Sequence, residues 1–310
     1  MREMPDDYPL RVDHRLVEEA VGARVRQLTP RRQRPFHRER ERIYETPDPE
    51  EREASFRALH GRWFERLGLA APIHQALRER PSVLSGTEQC RVFLAVSRKE
   101  EHADLLVPAA GISGDRSPSL VLQVRTQVFL EPEAFLAFAR RELLHVADML
   151  DPEFGYQRRL PDCSQGPSFQ NLLLDRYRTL WDTTIDGRLH QEGRGREGAR
   201  DVRRQDFCRT FRMLGDEVEA MFLRWFDCRR PRHAEMLAFA ENPRSARRPA
   251  EGWCGYCPVC RMPCAAPGDV RLSPGALREI RDDDPGWRVE QGICRQCADL
   301  FEARQTVSAR

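Results

Sequence analysis

The sequence predicts an α+β fold, with a small β-sheet inside a mainly helical chain, and three observations carry this prediction. Runs of strand character follow one another at residues 90–97, 103–108 and 119–130. Helical periodicity lies on both sides of them; Phe56, Leu59 and Trp63, for example, recur three or four residues apart. Six of the ten cysteines fall after residue 250, so a separate small module is expected at that end.

The third strand-like run, residues 119–130, has two different faces. One face carries Leu120, Leu122, Val124, Thr126 and Val128. The opposite face carries Gln123, Arg125 and Gln127. Such alternation indicates that one face of the sheet is wet, as in an edge strand or an antiparallel sheet.

Helix signals frame the strand-like region. Asp48 followed by Pro49 and two glutamates is typical of a helix start, because the aspartate can cap the first turn and proline suits its first position. A glycine-containing stretch at 193–198 is expected to be flexible. The helices expected further along the chain cover residues 132–150, 168–189, 207–225 and 233–240.

Composition excludes several functional classes. The net charge is only +2, so the chain as a whole is not a general binder of polyanions. No stretch approaches the roughly 20 apolar residues of a membrane helix, and the N-terminus lacks the apolar segment of a secretion signal. We therefore expect a cytoplasmic protein without membrane contact. Its thiols would stay reduced, which favours metal binding over disulfides.

The first 45 residues are rich in arginine. Residues 24–42 contain eight arginines and two acidic residues, a pattern that either contacts nucleic acid or forms a solvated tail. The tail is favoured, because no interleaved aromatic residues support base stacking. We expect this segment to be irregular or loosely helical.

Four cysteines near the C-terminus predict a structural zinc site. Cys257 and Cys260 form one Cys-x-x-Cys pair, and Cys294 and Cys297 form a second, with 33 residues between them. Two such turns supply the four thiolates of a tetrahedral site. A helix is expected between the pairs, starting at Ser273, and a strand over 288–293. This segment resembles a zinc ribbon, a module that binds nucleic acid, proteins or zinc alone.

Two further cysteines leave an alternative open. Cys254 could pair with Cys257 in place of Cys260, and Cys264 has no assigned role. The pair of Cys257 and Cys260 is favoured because Cys-Pro-x-Cys is the more typical ribbon turn. A redox role is disfavoured, since no thioredoxin-like βαβ pattern surrounds either pair.

The helix predicted over 132–150 is apolar on most sides but carries a polar stripe. Arg141, His145 and Asp148 fall within about 60° of one another on a helical wheel, and Glu142 flanks them. A helix of this kind is expected to be buried, so its polar side chains need partners.

The following helix supplies candidate partners. Asp175, Asp182 and Asp186 are spaced so that they share one face within about 40°. Two facing stripes, one with His and Glu and one with three carboxylates, suit either a metal site or a buried ion-pair network.

The segment 141–145, Arg-Glu-Leu-Leu-His, resembles the His-Glu-x-x-His helix of zincin metallopeptidases. In that family two histidines bind zinc and the glutamate activates the zinc-bound water. The resemblance implies that Glu142 is the catalytic base, that His145 is a zinc ligand, and that Asp182 or Asp186 is a third ligand.

The sequence departs from that family at the first ligand. Arg141 stands where a histidine is required, and a guanidinium has no lone pair to donate. Three interpretations follow. In the first, Arg141 forms a salt bridge to Asp182 or Asp186 where the metal stood. In the second, Glu142, His145 and the aspartates hold a metal in a rearranged, active site. In the third, the stripe is an exposed mixed-charge face.

The first interpretation gives the predicted function: a zinc-binding protein that resembles a metallopeptidase, has an impaired or lost catalytic site, and acts by binding a protein or peptide. Nucleic acid is a less favoured partner. The predicted organisation is an arginine-rich extension (1–45), a zincin-like domain (46–242), a linker (243–251), a zinc ribbon (252–304) and a tail (305–310).

Overall fold

The computed structural model describes residues 8–107, 118–158, 167–246, 256–262 and 272–308. Four strands form one sheet: β1 (Leu10–Val12), β2 (Cys90–Leu94), β3 (His102–Leu106) and β4 (Ser119–Val124). The helices of the first part are α1 (His14–Gln27), α2 (Pro30–Tyr44), α3 (Pro49–Arg66), α4 (Ala71–Arg78), α5 (Pro81–Gly86), α6 (Thr126–Leu130) and α7 (Pro132–Leu150). Those that follow are α8 (Pro167–Gln191), α9 (Ala199–Thr210), α10 (Val218–Phe226), α11 (His233–Glu241), α12 (Pro274–Asp283) and α13 (Arg295–Ser308). This is the predicted α+β class.

The sheet is mixed, with the strand order β1-β2-β4-β3. β1 pairs with β2 and β2 with β4 in parallel, whereas β3 pairs with β4 antiparallel. Cys90 of β2 lies opposite Leu10 on one side and Leu120 on the other, and Leu120 lies opposite Leu105. The single antiparallel strand, β3, therefore forms one edge of the sheet, next to α7.

The predicted strand over 119–130 is too long, and it is not an edge strand, although it does pair antiparallel with β3. Leu120, Leu122 and Val124 are buried on one face as predicted. However, β4 lies inside the sheet, between β2 and β3, and the chain turns into α6 after Val124. The helical turn buries Phe129, whose ring stacks on that of Phe64 at a centroid distance of 5.9 Å. Tertiary packing, rather than the alternation of apolar and polar residues, thus determines the conformation after Val124.

The expectation of an irregular or loosely helical N-terminal extension is wrong for the described residues 8–45. β1 is part of the sheet, and α1 buries Leu16, Ala20 and Val21 completely. Burying each Leu or Val of this kind stabilises the fold by about 1.5–3 kcal/mol. The segment therefore belongs to the hydrophobic core rather than preceding it.

Helix α7 lies between two hydrophobic cores, and its bounds and proline start agree with the prediction. Phe135, Leu143 and Val146 pack into the core that the sheet forms with the surrounding helices α1, α3 and α4. Leu144 packs into a second core with Trp181 and other residues of α8 to α11. The polar stripe of α7 consequently faces α8.

The single amphipathic helix predicted over 207–225 is wrong. The chain forms α9, a 3₁₀ segment (Arg212–Glu217) and α10. Gly215 has φ of 58° and ψ of −129°, which interrupts the helical backbone. The break lets α9 and α10 approach each other, so that the rings of Phe207 and Phe222 lie 5.7 Å apart in the second core.

The C-terminal segment has a small core of its own, in which Ile280, Trp287 and Phe301 are buried. Ser273 caps α12 as predicted, its hydroxyl accepting a hydrogen bond from the N–H of Ala276. The strand expected over 288–293 is wrong: the chain forms a 3₁₀ turn there. Gly292 follows the 3₁₀ turn at φ of 63°, a positive value that glycine adopts readily.

Among the helices in the described ranges, none has both the length and the apolar character needed to cross a bilayer.

Candidate metal centre and a polar cluster between two helices

The four predicted cysteines come together. The sulfur atoms of Cys257, Cys260, Cys294 and Cys297 all lie within 4.8 Å of one another. Cys257 Sγ is 3.9 Å from Cys297 Sγ, and Cys260 Sγ is 3.8 Å from Cys294 Sγ. A tetrahedron with Zn–S bonds of about 2.3 Å has S···S edges of about 3.8 Å. The four side chains therefore fit a zinc ion.

Two short backbone turns position the sulfur atoms. In the first, the N–H of Cys257 donates to the carbonyl of Met262, and the N–H of Arg261 donates back to the carbonyl of Cys257. In the second, at the start of α13, the N–H of Cys294 lies 3.4 Å from Cys257 Sγ, and that of Cys297 lies 3.4 Å from Cys294 Sγ. Amide hydrogens of the second turn thus point at the sulfur atoms of Cys257 and Cys294.

These amides favour the thiolate form at one position. Burial by itself raises the pKa of Cys257, but hydrogen bonds from the backbone at Cys260 and Cys294 lower it to about 7. Since a metal binds the thiolate, this cysteine is prepared for coordination near neutral pH. Cys254 and Cys264, which the sequence left unassigned, lie outside the described residues.

The second group of predicted site residues meets between α7 and α8. Arg141 forms an ion pair with Asp182, and its Nε is 3.7 Å from Asp186 Oδ1. His145 Nε2 is 3.2 Å from Asp182 Oδ1. Asp175, although it shares the same helical face in the sequence, is exposed and does not join them.

Arg203 of α9 completes this cluster, and sequence reasoning missed it. Its Nε donates to Asp186 Oδ2 at 2.7 Å, and its Nη1 is 3.3 Å from Asp182 Oδ2. Two guanidinium groups thus face two carboxylates, and the formal charges balance. Phe207 is the single buried residue of α9, so periodicity could not show which side of this helix faces inward. The available signal was chemical, because Arg141 alone leaves one carboxylate without a cation.

Asp182 interacts with His145 and with both arginines of the cluster. Burial alone raises the pKa of this carboxyl, but the hydrogen bond from His145 and the charges of Arg141 and Arg203 outweigh that effect and hold its pKa well below the ordinary value of 3.8. For Arg141, burial opposes the charged form, and the nearby carboxylates of Asp182 and Asp186 raise its pKa nevertheless. Both groups are therefore ionised at neutral pH.

This shift predicts how acid affects the fold. A carboxyl whose pKa is lowered by folding stabilises the native state above its unfolded pKa, and this contribution disappears as the pH falls through the folded value. We expect Asp182→Asn to be less stable than the wild type at neutral pH, and the difference to shrink steadily below about pH 4. Urea unfolding at a series of pH values measures it. A difference that stays constant to the lowest pH would contradict the assignment.

Asp148, the last residue of the polar stripe, is engaged in a separate buried pair. Its two carboxylate oxygens accept hydrogen bonds from Arg188 at 2.7 and 2.6 Å, and the indole N–H of Trp181 donates to it at 2.7 Å. The side chains of Asp148 and Arg188 are only 7% and 13% exposed. This pair fixes α7 against α8 one turn beyond His145.

Glu142 points the other way, toward the sheet. Its Oε2 accepts a hydrogen bond of 3.1 Å from the backbone N–H of Ala103 in the edge strand β3. The next alternate amide of that strand, Leu105, donates to Asp104 Oδ1 at 2.8 Å. Glu142 is therefore not part of the cluster around Asp182.

Within the described ranges, the four cysteines are the one group of three or more His, Cys, Asp or Glu side chains whose ligand atoms are close enough to share an ion. His145, Asp182 and Asp186 do not form a second such group there. No protein-family model, no curated protein and no solved structure matches the chain.

Proposed function

We propose that this chain is a zinc-binding protein whose α+β part resembles a metallopeptidase domain with a lost catalytic metal site, and that it acts by binding a protein or peptide partner. The observation that carries this proposal is the ion pair of Arg141 with Asp182, with Asp186 beside it. The guanidinium occupies the position at which the resemblance would place a zinc ligand. It also neutralises the carboxylates that a metal would need.

The surroundings of α7 support the same proposal. In a zincin-like arrangement the active-site helix packs beside an edge strand, and here α7 packs beside β3, the antiparallel edge. Glu142 corresponds to the catalytic base in the resemblance. Its carboxylate accepts a hydrogen bond from the backbone N–H of Ala103 rather than facing a metal site. Arg203 adds a second fixed positive charge against the same carboxylates. The residues at this position do not fit a zinc ion.

Metal content tests the proposal directly. We expect one zinc per chain by elemental analysis of the purified protein, lost in Cys257→Ser and retained in His145→Ala. The wild type and Glu142→Gln should show the same background rate on an unfolded protein substrate. Two zinc ions per chain, one of them lost in His145→Ala, would overturn the proposal in favour of a rearranged active site.

Restoring the missing ligand provides a second prediction. In Arg141→His, histidines at positions 141 and 145 lie one helical turn apart and the cluster loses one positive charge, so a second zinc should bind. Adding Arg203→Gln should strengthen that binding, because it frees Asp182 and Asp186. Isothermal titration with zinc measures the stoichiometry.

The matched control for this titration is Arg140→His. Arg140 is the neighbouring residue, but it forms a bidentate pair with Glu79 instead of facing Asp182. This variant should stay at one zinc per chain. If the double variant Arg141→His with Arg203→Gln folds and still binds only one zinc per chain, the site around Asp182 is not a former metal position.

A further inference from the structure

The solvent face of α2 carries a line of four arginines, Arg31, Arg34, Arg38 and Arg42, all of them exposed. At 100° per residue they fall within about 80° of one another, and the helical rise spreads them over about 16 Å. We call this surface the α2 arginine face. It lies in the arginine-rich segment 24–42, for which the sequence allowed either a nucleic-acid contact or a solvated tail. The packing of this segment against the rest of the protein excludes a solvated tail.

The opposite side of α2 is fixed to the body of the protein. Phe36 is buried, and its ring meets that of Trp63 of α3 edge to face at a centroid distance of 5.3 Å. The indole N–H of Trp63 donates to Glu39 at 3.3 Å. The helix cannot rotate without breaking these contacts, so the four arginines are held outward.

The positive charge of this face is not neutralised internally. Of the two acidic residues of α2, Glu39 is engaged by Arg62 and Trp63 of α3, and the exposed Glu41, which lies beside Arg38, forms no ion pair with the four arginines in the described structure. None of the ion pairs formed among the described residues involves Arg31, Arg34, Arg38 or Arg42, in contrast to the paired arginines around Asp182.

We propose that the α2 arginine face binds the phosphate backbone of duplex DNA without sequence preference. Guanidinium groups bind phosphate oxygens through paired hydrogen bonds, and contacts to phosphates carry no sequence information. Gln33, which has the side chain suited to reading adenine, is occupied instead: its Nε2 donates to the carbonyls of Leu28 at 2.8 Å and Arg26 at 3.3 Å. The face therefore presents phosphate-binding groups and no free base-reading amide.

Charge alone would also suit a membrane surface, but the composition of the face argues against it. An interfacial helix needs large apolar side chains beside its basic residues. On α2 the aromatic ring of Phe36 is buried against α3, and no large apolar residue shares the side of the helix that carries the four arginines. A row of fixed cations without an apolar border matches a phosphate backbone better than a lipid layer.

The salt dependence of binding tests this proposal. The full zinc-loaded chain is titrated into a fluorescently labelled DNA duplex of random sequence, followed by anisotropy. Four phosphate contacts predict a slope of about −3.6 in log K against log salt, which weakens binding by about 150-fold between about 50 and 200 mM salt. An unrelated duplex sequence should give the same affinity.

Two matched variants locate the site. Replacing Arg31, Arg34, Arg38 and Arg42 together by glutamine should abolish binding, and Arg34→Gln alone should reduce the slope by about 0.9. The control replaces four exposed arginines on other elements by glutamine, Arg178, Arg196, Arg229 and Arg230. It removes the same charge and should retain the wild-type affinity and slope. Thermal unfolding of each variant verifies that the fold is intact.

Several results would overturn the proposal. They are the absence of binding at low salt, an equal loss in the control variant, and equal affinity for phosphatidylserine vesicles or for polyglutamate. The last two would assign the binding to a lipid surface or an acidic protein. The single variant Arg34→Gln keeps the test decisive even if the fourfold variant fails to fold.

Discussion

Cys297→Ser is expected to release the zinc and to unfold residues 256–262 and 272–308, while residues 8–246 keep their structure. Structural zinc contributes an apparent free energy of about 10–16 kcal/mol to the folding of small modules at neutral pH. The core of this segment rests on a few buried residues such as Ile280, Trp287 and Phe301. A module this small seldom folds on its apolar core alone.

Amide hydrogen exchange followed by mass spectrometry measures this effect. In the variant, or in the wild type after chelation, the amides of α12 and α13 should exchange as in an unfolded chain, and those of α7 and α8 should stay protected. The matched control is Cys208→Ser, because Cys208 is a half-buried thiol on α9, away from the four-cysteine group. Protection of α13 that persists without metal would show that the zinc is not structural.

The second large effect is expected for Asp148→Ala. Removing this carboxylate leaves the guanidinium of Arg188, 13% exposed, without a counter-charge and the indole N–H of Trp181 without an acceptor. Breaking a buried pair by deleting one partner costs about 3–5 kcal/mol. The free energy of unfolding from urea titrations measures the loss.

A solvent-exposed pair provides the control for that measurement. Asp104 and Arg158 also form an ion pair, but their side chains are 45% and 65% exposed. Arg158→Ala should therefore change the stability by about 1 kcal/mol or less, and it leaves the hydrogen bond from the Leu105 N–H to Asp104 in place. The double variant Asp148→Leu with Arg188→Met should recover much of the stability lost in Asp148→Ala, since replacing both charges leaves none uncompensated. A loss in Arg158→Ala as large as that in Asp148→Ala would contradict the buried character of the Asp148 pair.

The parts of the fold that local signals determine were predictable. Asp48 caps α3 by accepting from the N–H groups of Glu50 and Glu51, and Ser273 caps α12, as their sequence patterns indicate. The bounds of α7 follow from its proline start and its apolar content. These features depend on residues within one or two turns of each other, which is why the sequence alone identifies them.

The parts that depend on distant contacts were not predictable. β1 has three residues, too few for an alternating pattern, and it is a strand because Leu10 and Val12 pair with Cys90 and Val92 far along the chain. The turn into α6 depends on the burial of Phe129 against Phe64. Both cases show tertiary packing determining a local conformation.

The candidate sites divide in the same way. The four cysteines were identifiable because Cys-x-x-Cys spacing is itself the geometry of a metal turn. The facing of Arg141 and Asp182 was also deducible, since each lies on a recognisable polar stripe of a helix. The contribution of Arg203 was not, because α9 buries only Phe207 and offers no stripe to align.

The hydrogen bonds of β3 bear on whether this edge of the sheet can pair with a strand of another molecule. The outward amides of a border strand can recruit a strand from another molecule, which leads to aggregation. Here the amide of Ala103 is occupied by Glu142 and that of Leu105 by Asp104. A neighbouring molecule would have to displace two carboxylates and bring its own backbone past their negative charge. Glu142 and Asp104 thus make the addition of another strand at this edge of the sheet less favourable.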